Sequence, residues 1–319
     1  MTWNTYYAGT GRSTGPVELP PPPPWRTMGQ STAADVFQPP QGLLDAVNAA
    51  LCLRRPLLVT GPPGSGKSTI IEQVAAELEL GPVLRWTVTS RSTLSDALYR
   101  YDALGRIHAQ RLHQELARTQ PERAAKVVDD VADFVYLGPL GTALLPSPRP
   151  RALLIDELDK ADLDLPGDLL DVLERGTYHI VELVREGQDD ADVMLWDSAE
   201  SFRVEGGRVQ CTEFPFIVMT SNGEQELPAP FLRRCVRYDM PAPTSDLIGR
   251  VVRAHLGIDT DSGPTKDLID RFVDRVRAKE RVAVDQLLGT LHLLRGVPEA
   301  NTGERQRVEQ LLMRALGGA

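Results

Sequence analysis

The sequence of 319 residues has little cysteine and few aromatic side chains, three Cys with Phe, Trp and Tyr together at 6%. Cys52, Cys211 and Cys235 are scattered in apolar surroundings, so neither a disulfide framework nor a thiolate metal site is expected, and all three read as buried thiols. The five histidines show no ligand spacing. No apolar run approaches the roughly 20 residues a bilayer span needs. The N-terminus lacks the basic flank and apolar core of a secretory signal, so the expectation is a cytosolic chain. Basic residues are outnumbered, 35 Lys and Arg against 44 Asp and Glu, for a net charge of −9. That removes any general attraction to nucleic acid and favours protein or nucleotide partners. The remaining composition, 42% hydrophobic and 25% charged, suffices for one large or two ordinary domains with a buried core.

Glycine and proline are plentiful, and two clusters of them punctuate the chain. Residues 1–35 are rich in Gly, Ser, Thr and Pro, and Pro20 to Pro24 predict a polyproline II rod. Trp3, Tyr6, Tyr7 and Trp25 are unusual in a free tail, so docking on the chain's own surface or on a neighbour is expected. The second cluster is Gly61-Pro62-Pro63-Gly64-Ser65-Gly66-Lys67-Ser68-Thr69, between an apolar run at 56–60 and an amphipathic run from Thr69 to Leu78. Strand, glycine-rich loop and helix in this order, with the spacing G-x-x-x-x-G-K-[ST], make a phosphate cradle. The glycines let successive N–H groups turn inward, and the helix adds the positive end of its dipole. A nucleoside triphosphate is the natural guest. Lys67 is expected to reach its β- and γ-phosphates, and the Ser68 hydroxyl to sit on a magnesium ion shared with the nucleotide.

Apolar spacing predicts a helix over 41–53, the loop's own helix to about Leu80, and a strand over 83–88. A helix capped by Ser92 or Thr93 should continue, with interruptions, through the charged segment Arg111 to Asp130. A strand or hairpin, a turn and a short helix follow over 133–143. The continuous apolar run Arg151 to Ile155 ends in Asp156-Glu157, the pattern of a buried parallel strand delivering acids to a site. Residues 165–174 read as a helix, and 178–184 with 202–211 as a hairpin-like stretch interrupted by a solvated acidic loop at 186–200. A buried strand is expected over 214–222 and a short last strand over 236–240. Beyond Pro243 only helical patterns remain, at 245–256, 265–279, 284–294 and 305–316. This divides the chain into an extension (1–35), an α/β nucleotide-binding domain (36–242) and a helical domain (243–319).

Behind a phosphate loop, Asp156 is placed to hold magnesium and Glu157 to polarise an attacking water. Asn222 ends a later strand and has two readings: a contact to the γ-phosphate and attacking water, or an ordinary turn asparagine before Gly223. Arg233-Arg234, at the end of a short helix begun by Leu227-Pro228-Ala229-Pro230, can serve a neighbour's γ-phosphate or simply the dipole of its own helix.

Gly61 to Thr69, Leu153 to Glu157, Thr220-Ser221-Asn222 and Leu227 to Arg234, in this order, resemble the AAA+ ATPases, and within them the MoxR-like group. Tyr136-Leu137-Gly138-Pro139-Leu140 is similar to an insertion of that group, and Leu170 to Gly176 to the helix after its acidic strand. The resemblance covers about residues 36–295. It implies a P-loop NTPase core with a parallel five-stranded sheet ordered 5-1-4-3-2, a C-terminal α-helical lid, homo-oligomeric rings (usually hexamers), and ATP hydrolysis with Mg2+ at subunit interfaces. It also implies the first-sensor role for Asn222 and the finger role for Arg234. At the family's second-sensor position in the lid this chain carries Asp285, with Lys279 and Arg281 nearby. Leu19 to Trp25, with Trp3, Tyr6 and Tyr7, resembles bacterial MoxR-like proteins encoded beside von Willebrand factor A domain partners in conflict or defence systems, which implies chaperone-like remodelling of a protein client. The competing classes are a nucleotide-dependent scaffold or switch with slow turnover, a small-molecule kinase, and a DNA-acting motor.

Overall fold

The computed structural model describes residues 18, 21–23, 37–120, 130–187, 189–278, 280, 282–297 and 301–314. Trp3, Tyr6, Tyr7, Trp25, Lys279 and Arg281 lie outside the described residues. The chain divides into two compact units, one made of Pro40–Thr60 and Ile71–Tyr238, the other of Met1–Pro39, Gly61–Ile70 and Asp239–Ala319.

The first unit holds the strands of the described residues, the last of them ending at its boundary. They are β1 (Leu57–Thr60), β2 (Leu84–Thr87), β3 (Tyr99–Tyr101), β4 (Val135–Leu137), β5 (Ala152–Asp156), β6 (Thr177–His179), β7 (Asp190–Met194), β8 (Ser201–Glu205), β9 (Arg208–Gln210), β10 (Phe216–Ser221) and β11 (Val236–Asp239). The five-stranded sheet runs β11-β1-β10-β5-β2, the order 5-1-4-3-2 when its strands are numbered along the chain. β1, β10, β5 and β2 pair in parallel, with Thr60 opposite Ser221 and Met219 opposite Ile155. All six residues of β10 and four of the five in β5 are buried. That is why both strands read as unbroken apolar runs: a parallel strand covered on both faces has no polar side to alternate with.

The second sheet, ordered β3-β4-β7-β8-β9-β6, goes beyond what the sequence suggested. The predicted helix from Thr93 does start there, with Thr93 Oγ1 accepting the Asp96 N–H at 3.2 Å. It ends at Leu98, and β3 intervenes before a second helix, Ala103–Thr119. The acidic stretch 186–200 is not only a solvated loop. Within it β7 pairs antiparallel with β8, burying Ala191 and Val193 while Asp190 and Asp192 face Arg203 across the ladder. The acids mask a strand whose alternation is visible once the charges are placed outward. Of the stretch 178–184 expected as part of a hairpin, residues 181–184 instead enter the helix Val181–Glu186 after β6, which is only three residues long and pairs with β9.

One core runs from the parallel sheet to the second sheet, from Leu153, Ile155 and Ile217 to Val193 and Val204. Between them sits the short helix Pro139–Ala143, every residue of it buried. Gly141 is required there, because a Cβ would stand 1.9 Å from the Leu98 carbonyl oxygen. The Tyr178 hydroxyl donates to the Gly141 carbonyl at 3.1 Å. The cysteines do not all read correctly: Cys211 and Cys235 are half-buried, but Cys52 is exposed, since the helix Gln41–Leu53 turns Leu43, Ala46, Val47 and Ala50 inward and leaves position 52 outside. Burial pushes the Cys235 thiol up to about 12, so it stays protonated and inert at neutral pH.

The second unit carries helices Ser245–Leu256, Gly263–Arg277, Val284–Leu294 and Thr302–Leu312. Their heptad-like apolar faces meet around Val252, Phe272, Val273 and Leu287. Among the described residues of the tail, Pro23 borders a cleft of about 560 Å³ that it shares with Gln286, Gly289, Leu293, Leu311 and Leu312. No helix among the described residues is long and apolar enough to cross a membrane.

Candidate functional site

β1 ends at Thr60 and the chain turns directly into the glycine-rich loop. Gly61, Gly64 and Gly66 all take positive φ, +141°, +74° and +85°. At Gly64 and Gly66 the backbone is also closely overlaid. A Cβ would lie 2.9 Å from Val284 Cγ2 in the first case and 2.6 Å from the Phe37 ring in the second. These two positions therefore need glycine for space as well as for conformation. Lys67 is buried, and its ammonium donates to the carbonyls of Gly61 and Pro62, both at 2.9 Å. A cation held inside its own loop, beside glycine backbone in the left-handed region, is preorganised for an anion. The Ser65 hydroxyl is also buried and makes no hydrogen bond with the described residues. A buried hydroxyl with no partner is costly unless a ligand satisfies it. The loop therefore fits a phosphate-bearing guest. The hydroxyl of Ser68 and the carboxylate of Asp156 are hard oxygen donors of the kind magnesium takes.

At the other strand ends, β5 and β10 exchange hydrogen bonds. The Thr220 hydroxyl donates to Asp156 Oδ1 and accepts the Glu157 N–H at 2.9 Å. Asp159 Oδ2 accepts the N–H groups of Asn222 and Glu224, both at 2.9 Å. Two sets of hydrogen bonds thus tie the ends of β5 and β10 at the C-terminal edge of the sheet, one joining Asp156 and Glu157 through Thr220, the other joining Asp159 to Asn222. Glu157 adopts φ 61° and ψ 45°, left-handed backbone that costs a residue other than glycine or asparagine about 1–2 kcal/mol. Its carboxylate Oε2 accepts from Lys160 Nζ at 2.6 Å, a contact that raises the lysine above its ordinary value.

Arg234 stands elsewhere on the same unit. It is exposed, its Nε pairs with Glu174 of the helix Leu165–Arg175, and its Nη1 donates to the Pro230 carbonyl at 3.0 Å. Both partners are groups of its own surface. Three residues of the cluster carry no sequence-based assignment: Thr220, Asp159 and Lys160. Thr220 is a polar residue near the end of an otherwise apolar strand, and Asp159-Lys160 lies two residues past the acidic pair, so each had a visible if weak signal.

No curated protein matches the sequence. Solved structures similar to the chain include two point variants of RuvB from Thermotoga maritima. Both are 14% identical with a TM-score of 0.41, one covering 84% and the other 85% of this chain, and each alignment spanning 67% of the RuvB chain. The family profile of the AAA domain (dynein-related subfamily) matches residues 56–235, from the strand before the phosphate loop to just past Arg234. The chain belongs to the AAA domain family, in its dynein-related subfamily.

Proposed function

We propose that this chain is a MoxR-like AAA+ ATPase that hydrolyses ATP at the interfaces of a ring and uses the cycle to remodel a protein partner. The observation that carries the reading is the pairing of the ends of β5 and β10, where the Thr220 hydroxyl ties Asp156 to the Glu157 N–H and Asp159 accepts the Asn222 N–H. Lys67 and the loop N–H groups bind the β- and γ-phosphates. Ser68 and Asp156 hold magnesium, which when bound supplies charge neutralisation on the phosphate oxygens. Glu157 accepts a proton from the attacking water, and Asn222 orients that water by hydrogen bonding. Arg234 leaves Glu174 and supplies its guanidinium to the site of a neighbouring subunit, where fixed positive charge is worth about three powers of ten or more. A von Willebrand factor A domain protein in a bacterial conflict system fits as client, and the cytosol as the place of work. Residues 243–319 act as the lid, in which Asp285 stands at the second-sensor position.

The test combines binding, turnover and particle mass. Lys67→Ala should lose ATP binding. Arg234→Ala should bind ATP and still assemble with it, yet lose turnover by at least about a hundredfold. A particle that remains monomeric with ATP while hydrolysing it would remove Arg234 from the mechanism. A slow-turnover switch is a second reading, favoured by one contact: the Glu157 carboxylate is engaged by Lys160 at 2.6 Å rather than left to polarise water.

A further inference from the structure

The two strand ends hold one another through a reciprocal exchange of acceptors. β10 gives the Thr220 hydroxyl to the Glu157 N–H, and the turn after β5 gives the Asp159 carboxylate to the Asn222 and Glu224 N–H groups. Asp159 is only 4% exposed, and its second oxygen, Oδ1, makes no hydrogen bond with the described residues. Burying a carboxylate this way is expensive, and an apolar side chain would fill the space at less cost. What an apolar residue would not do is accept two buried backbone N–H groups and so fix the turn from which the Asn222 side chain departs.

We propose that Asp159 is a positioning residue for ATP hydrolysis: it sets the Asn222 turn against the Glu157 turn, so that turnover depends on it although it does not touch the nucleotide. The proposal rests on the reading of Glu157 and Asn222 as the hydrolytic pair. It makes the clasp selective in its effects. Removing the acceptor shifts Asn222, and a displacement of about 1 Å at a reacting centre costs up to about a hundredfold in rate. Phosphate affinity rests on the loop residues and is left intact. Asparagine keeps a carbonyl oxygen that accepts both N–H groups and removes the buried charge, so it restores function.

The experiment measures phosphate release from Mg-ATP, together with affinity for a fluorescent ATP analogue, in the full chain carrying Asp159→Ala or Asp159→Asn. Wild type and Glu157→Gln run beside them. The expected result is a fall of about 10- to 100-fold in kcat for Asp159→Ala, an affinity within about threefold of wild type, and recovery of most of the rate in Asp159→Asn. If Asp159→Ala does not fold, the comparison of Asp159→Ser with Asp159→Asn takes its place. Folded Asp159→Ala turning over like wild type, or equal losses in Ala and Asn, would overturn the role of Asp159 while leaving the Glu157 reading intact. Equal rates in wild type and Glu157→Gln would overturn the hydrolytic reading itself, and the role of Asp159 with it.

Discussion

Glu157 is the residue on which the chemistry and the local strain coincide. Its left-handed backbone is held by the Thr220 hydroxyl, and its carboxylate is held by Lys160. That second contact restrains the carboxylate proposed to activate water. The Lys160 ammonium titrates above its ordinary value because Glu157 accepts a hydrogen bond from it, so the lysine keeps its charge throughout the neutral range and pH does not release the pair. Lys160→Ala frees the carboxylate and should raise kcat a few-fold, read as steady-state phosphate release at saturating ATP. An unchanged or lower rate would show that the pair supports rather than restrains the acid. Lys160 is exposed and Glu157 half-buried, so the effect on stability should be small, below about 1 kcal/mol.

At the scale of elements, the legible parts are those whose pattern has a single physical cause. β5 and β10 are buried on both faces, so each appears as an apolar run with a polar end, and the site residues fall at those ends. The helices 41–53, 245–256 and 284–294 were legible to the residue because their apolar faces have one period, and 245–256 also carries a clear cap, Thr244 accepting the Leu247 N–H at 3.2 Å. The second sheet was legible only in fragments. Its strands are three to five residues long, and in β7 the acids at 190 and 192 hide the alternation that buries Ala191 and Val193. Asp159 was missed because its partners are 63 and 65 residues away. The helical unit carries a pH dependence of its own. His255 and His292 titrate below the ordinary value of 6.5 because burial disfavours their charged forms, with Arg295 adding to the effect on His292. The unfolded chain therefore takes up protons first as pH falls through 6.5, and the folded helices lose stability from there downward. Thermal melts at constant ionic strength should show a lower Tm at pH 5.5 than at pH 7.5. The difference should shrink in the variant carrying both His255→Gln and His292→Gln; a difference of the same size in that variant would contradict this origin.

At the scale of the whole molecule, the proposed ring divides labour between subunits: each chain would use its own Asp156, Glu157 and Asn222 and lend Arg234 to the next. Arg234 pairs with Glu174 on the chain's own surface; in the proposed ring a neighbour's triphosphate would offer it a more highly charged partner. The claim beneath all of this is that the end of β5 is hydrolytic. The measurement that tests it most directly is phosphate release from Mg-ATP by wild type and Glu157→Gln at equal nucleotide occupancy. The account predicts steady turnover by wild type and, in the variant, nucleotide retained with turnover lowered by about a hundredfold or more. A variant that releases phosphate at the wild-type rate would contradict it.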